Sequence, residues 1–156
     1  MSSGALPHRP RAYVAAPVAP ATGLFQAINW AFDQAEDLTW GDLRIMVSDP
    51  GLVTRLSLLQ RLKNRGVRIG TAEQAAGARS FRGMVIAFRP DAAMLVAAEA
   101  LPGVRAVVAV AASNDQLREW VGIYAPQHLG GDVLPARPEV TAAVSVRSGQ
   151  VLQPNV

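Results

Sequence analysis

Residues 84–115 read MVIAFRPDAAMLVAAEALPGVRAVVAVAASND, and the order of signals inside this stretch decides the fold. Met84 to Phe88 is an apolar run of strand length, and Pro90-Asp91 supplies a turn and a helix cap. A helix is expected from Asp91 to about Leu101, where Pro102-Gly103 ends it. Ala106 to Val110 follows, with Val107, Val108 and Val110 between alanines, as expected of a strand buried on both faces. Ser113-Asn114-Asp115 then opens another helix, with Ser113 and Gln116 at capping-box spacing and Leu117, Trp120, Val121 and Tyr124 facing inward. Strand, cap, helix and strand in this order predict a parallel sheet covered by helices.

The same unit recurs on the N-terminal side. Leu43 to Val47 precedes Ser48-Asp49-Pro50, where Asp49 is a natural N-cap and Pro50 a natural first helical residue. The helix after it carries Leu52, Leu56, Leu59 and Leu62 inward and ends near Asn64, with Gly66 as a C-cap. A short strand, Val67 to Ile69, precedes Thr71, which with Gln74 makes a capping box for a short helix. Earlier still, a first strand is expected over about Ala12 to Ala16. A helix from about Gly23 to Asp37 follows, with Thr22 as its N-cap and Leu24, Ile28, Ala31, Ala35 and Leu38 as its apolar stripe. Five strands joined in this way predict an α/β fold, a three-layer Rossmann-like sandwich with a mainly parallel sheet in the order 3-2-1-4-5. The alternative order is 2-1-3-4-5.

The ends read differently. Residues 1–10 show no periodicity and predict a disordered leader. Residues 11–128 make the Rossmann-like domain, and 129–156 a C-terminal extension packed on or near it, in which 140–152 suits a helix better than a hairpin. At 156 residues the chain suits one domain, removing roughly 70% of its unfolded surface from water.

Composition excludes several functions. There is no cysteine, so disulfides, thiolate catalysis and Cys-based metal sites fall away, and with only His8 and His128 a zinc site is not expected. Fourteen of the fifteen basic residues are arginine, a bias that a GC-rich genome explains. The net charge of +3 depends on the leader: without residues 1–11, thirteen bases face twelve acids. A nearly neutral body is weak support for a phosphate-binding surface. Tyr13 to Phe32 carries no charge but is interrupted by Pro17, Pro20 and Gly23, so neither a membrane span nor a signal peptide is expected, and the cytoplasm is the expected location.

The candidate chemistry lies at the carboxyl ends of the strands. The turn from Pro17 to Gly23 holds one glycine and two prolines, which fits neither dinucleotide nor P-loop glycine patterns, and no cofactor is predicted. A polar edge can be assembled from Thr22, Ser48, Asp49, Thr71, Glu73, Arg89, Asp91, Ser113, Asn114 and Asp115. Of these, Thr22, Ser48, Asp49, Arg89, Asp91 and Ser113 are the candidate ligand-binding residues, with Arg89 suited to an anionic group. Helix capping accounts for Asp49, Asp91, Ser113 and Asn114 equally well. No catalytic set can be assembled, and His128 reads as a surface residue. Arg55, Arg61, Lys63, Arg65 and Arg68 form an acid-free basic run that Arg79 and Arg82 extend, but no aromatic residues interleave to stack on bases. Trp30 lies off the main stripe of its helix, where it marks an interface or a packed edge.

Ala78-Arg79-Ser80-Phe81-Arg82-Gly83 and Leu101-Pro102-Gly103-Val104 resemble segments of uncharacterised Rossmann-like proteins of high-GC bacteria, and the resemblance covers about residues 40–150. It implies the fold and no activity, cofactor or site residue.

The function expected from the sequence is a non-catalytic binding or protein-interaction module that recognises a protein partner or itself. The alternative is a degenerate nucleotide or phosphate-ligand domain, with or without enzymatic activity. A third reading is nucleic-acid binding through residues 55–82.

Overall fold

The computed structural model describes residues 9–76 and 82–130. The chain runs β1 (Arg11–Val14), α1 (Pro20–Gln34), β2 (Leu43–Met46), α2 (Leu52–Arg55), α3 (Ser57–Asn64), β3 (Arg68–Gly70), α4 (Ala72–Ala76), β4 (Gly83–Phe88), α5 (Ala92–Ala100), β5 (Val104–Val110), α6 (Asn114–Tyr124) and β6 (Gln127–Gly130), with a 3-10 turn at Trp40–Asp42. The described strands form one sheet in the order β3-β2-β4-β5-β1-β6, and every pairing is parallel.

Period-two alternation sorts the strand side chains between two cores. Met84, Ile86 and Phe88 of β4 join Leu24 and Ile28 of α1 and Leu59 and Leu62 of α3 on one face. Val85 and Ala87 meet Met94, Leu95 and Ala98 of α5, with Leu117 and Trp120 of α6, on the other. Each fully buried Leu, Ile or Phe contributes about 1.5–3 kcal/mol of transfer free energy, so the two cores hold the layers together. This is the expected α/β three-layer arrangement, consistent with a Rossmann-like fold.

The strand order and count are corrected. Among the described residues the sheet has six strands, and the sixth, β6, lies just beyond Pro126, where the apolar signal fades. Neither 3-2-1-4-5 nor 2-1-3-4-5 is found. β1 is not beside β2 but three strand positions away, between β5 and β6. Taken from β2 onward, however, β3-β2-β4-β5 has the pattern 2-1-3-4, and β1 stands where a fifth strand would stand. The jump is allowed by its connector: α1 has fifteen residues and is about 22 Å long, against about 14 Å for three strand spacings. It packs on β1, β5 and β4 as it crosses.

Smaller differences have local causes. α1 starts at Pro20 with Ala19 as N-cap, so Thr22 lies inside its first turn and does not cap it; proline at the first helical position presets φ. The helix expected over 50–64 is divided at Leu56, whose backbone is extended. Ser113 occupies the N-cap of α6 without a side-chain hydrogen bond: the Gln116 N–H donates to the Ser113 carbonyl at 3.2 Å, and the Gln116 side chain accepts from the backbone N–H of Ala92 in α5 at 3.1 Å. The Thr71–Gln74 box forms in both directions, at 3.3 and 2.9 Å, and Gly66 adopts φ 111° at the end of α3. Residues 1–8, Arg79 and the helix expected over 140–152 lie outside the described residues.

Candidate functional site

In a parallel sheet a crevice opens at the carboxyl edge wherever the helices that follow two adjacent strands leave to opposite faces. Besides the edge pair, where α4 after β3 and α3 after β2 leave to opposite faces, two such places lie further inside the sheet. The connections after β2 and β4 diverge, with α3 on the α1 face and α5 on the other. The connections after β5 and β1 diverge likewise, through α6 and α1. The second crevice is bridged: the Asn114 amide accepts from Ala16 N at 2.8 Å and donates to Ala16 O at 2.9 Å, tying the end of β1 to the start of α6. The first holds a cleft of about 280 Å³.

Val47, Ala72, Ala93 and Met94 make the apolar part of its lining, and Ser48, Thr71, Glu73 and Asp91 the polar part. Asp91 caps α5 by accepting from Met94 N at 2.8 Å through Oδ1, which leaves its second oxygen for another donor. Thr71 Oγ1 accepts from Gln74 N, so its hydroxyl proton remains to donate. Ser48 and Glu73 are exposed. The lining contains two carboxylates, two hydroxyls and no cation.

The other candidates lie outside that lining. Asp49 accepts from Gly51 N and from Arg55 Nη2, both at 2.9 Å. The Arg55 hydrogen bond first, and the Gly51 N–H second, hold its carboxyl below the usual aspartate range, so it stays an ionised turn residue. Arg89 follows β4 with φ 53°, and its N–H donates to Val110 O at 2.7 Å; its place is between β4 and β5. Thr22 and Ser113 stand at the β1 and β5 ends. Glycine in the first strand-to-helix turn serves packing: Gly23 lies inside α1, and a Cβ there would meet Val110 Cγ1 at 2.5 Å.

Several residues of the basic run have local partners among the described residues. Arg55 pairs with Asp49 at the carboxyl edge. Arg65 stacks over Trp40 at 5.6 Å, and Arg68 on β3 stands in register with Arg44 on β2. Arg61 and Arg82 are exposed. Arg44, inside a run read as apolar, is only 6% exposed; burial first, and the charge of Arg68 second, lower its pKa.

A buried polar cluster at the opposite end of the sheet went unread in the sequence. Arg11, grouped there with the leader in the charge count, belongs to β1 and binds Glu99 in bidentate geometry, Nε to Oε2 and Nη2 to Oε1, both 2.8 Å. Trp120 Nε1 donates to Glu99 Oε2 at 2.9 Å, and the Arg11 guanidinium lies 3.9 Å from the centre of the Tyr124 ring. The signal available was the pairing of Glu99 with Trp120 on adjacent helices, but without the strand order nothing placed Arg11 beside them. His128 is exposed on β6 and stacks on Tyr13 at 5.0 Å. Trp30 is buried in the core and donates to Gln127 Oε1 at 3.3 Å, so it is a packed edge residue.

The chain matches no family model, and no curated protein or solved structure gives a significant match. Among the described residues no three His, Cys, Asp or Glu side chains come together as metal ligands, and no helix is long and apolar enough to cross a membrane.

Proposed function

We propose that the protein is a binding module that takes a small polar ligand in the cleft between the carboxyl ends of β2 and β4. The observation that carries this reading is the position of the cleft, at a point where the crossover connections diverge, because ligands of open α/β sheets bind outside the carboxyl ends at such points. Its chemistry selects the ligand class. Carboxylates of Glu73 and Asp91 accept hydrogen bonds and repel anions, the Ser48 and Thr71 hydroxyls donate or accept, and Met94 and Val47 offer an apolar wall. A hydroxyl- or amine-bearing ring of monosaccharide to nucleoside size fits this better than a phosphate, since no guanidinium or ammonium lines the cleft. The arrangement supports recognition: Asp91 holds the α5 cap through Oδ1 and offers its second oxygen to a ligand.

A thermal-shift screen of the full chain against nucleosides, monosaccharides, amino sugars and their phosphates tests the reading. A ligand present at 100 times its dissociation constant adds about 2.7 kcal/mol to stability. Stabilisation by an unphosphorylated ligand that disappears in Ser48→Ala is expected. A flat response across the panel, or stabilisation by phosphates alone, contradicts it.

A further inference from the structure

Acidic side chains elsewhere in the molecule are balanced where those of the cleft are not. Asp37, Asp49, Glu99 and Asp115 each meet an arginine. Glu73 and Asp91, which both line the cleft between β2 and β4, have no ion-pair partner among the described residues. The N-terminal dipoles of α4 and α5 offset at most about half a unit charge each, so the cleft stays negative, and a cleft lined by one sign of charge concentrates counter-ions. The Thr71 clasp adds a requirement of the opposite kind. Thr71 N donates to Gln74 Oε1 at 2.9 Å and Thr71 Oγ1 accepts from Gln74 N at 3.3 Å, which leaves the hydroxyl proton in need of an acceptor.

We propose that the cleft takes a cationic amino alcohol, a primary ammonium on a hydroxyl-bearing ring such as an amino sugar, an assignment that rests on the cleft being the binding site. An ammonium has three donors and no acceptor, which suits the free Asp91 oxygen, the Glu73 carboxylate and the Ser48 hydroxyl oxygen. Its charge-assisted hydrogen bonds are roughly twice as strong as those of a neutral hydroxyl. It cannot accept from Thr71, so the ligand needs an oxygen next to the nitrogen. Val47 and Met94 offer their apolar surface to the C–H face of the ring. A neutral sugar satisfies the hydroxyls but leaves two carboxylates without a counter-charge, and a phosphate brings further negative charge to them. The cleft, about 280 Å³, lies near the small end of ligand pockets, which favours a single ring.

Calorimetric titration of the full chain with matched pairs tests the assignment: glucosamine against glucose, galactosamine against galactose, and 3′-amino-3′-deoxyadenosine against adenosine. The amine that fits should bind about tenfold or more tighter than its neutral match. Raising sodium chloride from about 0.05 to about 0.5 M should weaken the amine and spare the neutral compound, because salt screens only the charged contact. Glu73→Gln and Asp91→Asn should each weaken the amine severalfold, and the double variant should erase the preference, while Ser48→Ala weakens both members of a pair. Glu73 is exposed and asparagine retains the α5 cap, so melting of these variants without ligand should match the parent. Equal affinity within every pair, lost in Ser48→Ala, overturns the ammonium assignment and leaves the cleft reading standing. Binding by no compound, or binding indifferent to Ser48→Ala, overturns both.

Discussion

Arg11 and Glu99, eighty-eight residues apart, face each other through two 2.8 Å hydrogen bonds with their side chains only 7% and 10% exposed. The pair joins the displaced strand β1 to α5, and Trp120 brings α6 into the same knot. Burial pushes the Glu99 carboxyl up, but the Arg11 guanidinium and the Trp120 indole N–H outweigh it, so its pKa lies below the ordinary glutamate value.

A depressed folded-state pKa means that the pair's contribution is present above the unfolded-state value and is lost as pH falls through the folded one. Acid denaturation of the parent should therefore steepen below about pH 4.3, the unperturbed glutamate value. Glu99→Gln should flatten that limb and cost about 3–5 kcal/mol at pH 7, because Arg11 is left buried without its counter-charge. The double variant Arg11→Met/Glu99→Gln should be less destabilised than Glu99→Gln alone. Urea titrations at several pH values measure both effects, and equal losses in the single and double variants would contradict the pairing.

Gly23→Ala should destabilise by about 1–3 kcal/mol, since its new methyl must displace the side chain of Val110 in a packed core. Chemical denaturation measures this, and a neutral result would place α1 further from β5 than described.

At the end of α6, Ala125 holds φ 47° and donates its N–H to Val121 O at 2.9 Å, a left-handed helix stop built from a residue with a Cβ. Ala125→Gly removes the steric cost and should stabilise by about 0.5–1 kcal/mol. A lower melting temperature in the variant would argue against this stop.

Asp91→Ala should cost about 1 kcal/mol through loss of the α5 cap, while Asp91→Asn preserves the cap at little cost. If the cleft reading holds, Asp91→Asn should nevertheless weaken an amine-bearing ligand severalfold. Calorimetric titration of both variants separates the cap from the binding contribution.

Local structure was legible because local forces write it. The runs at Leu43, Met84 and Ala106 are strands, Asp91 caps its helix, and Thr71 and Gln74 bond in both directions. Strand order was not legible. Strands of a parallel sheet carry the same small apolar residues inward, so Ala12 and Val14 look like Val108 and Val110, and nothing in their spacing says that β1 follows β5 in space. That one misplacement hid the Arg11–Glu99 pair. It also separated Thr22 and Ser113 from Ser48 and Asp91, which a sheet with the first strand at its centre would have gathered. Of the polar edge, the residues from units consecutive in the chain, Ser48, Thr71, Glu73 and Asp91, share one cleft.

The most direct test of the cleft reading is amide-resolved NMR of the isotopically labelled full chain, titrated with the unphosphorylated nucleosides and monosaccharides that stabilise it most. The account predicts saturable shifts confined to Ser48, Thr71, Ala72, Glu73, Asp91 and Met94, with Thr22 and Ser113 unmoved. Shifts centred on the β5–β1 ends, or on α5 and α6 away from the cleft, would contradict it.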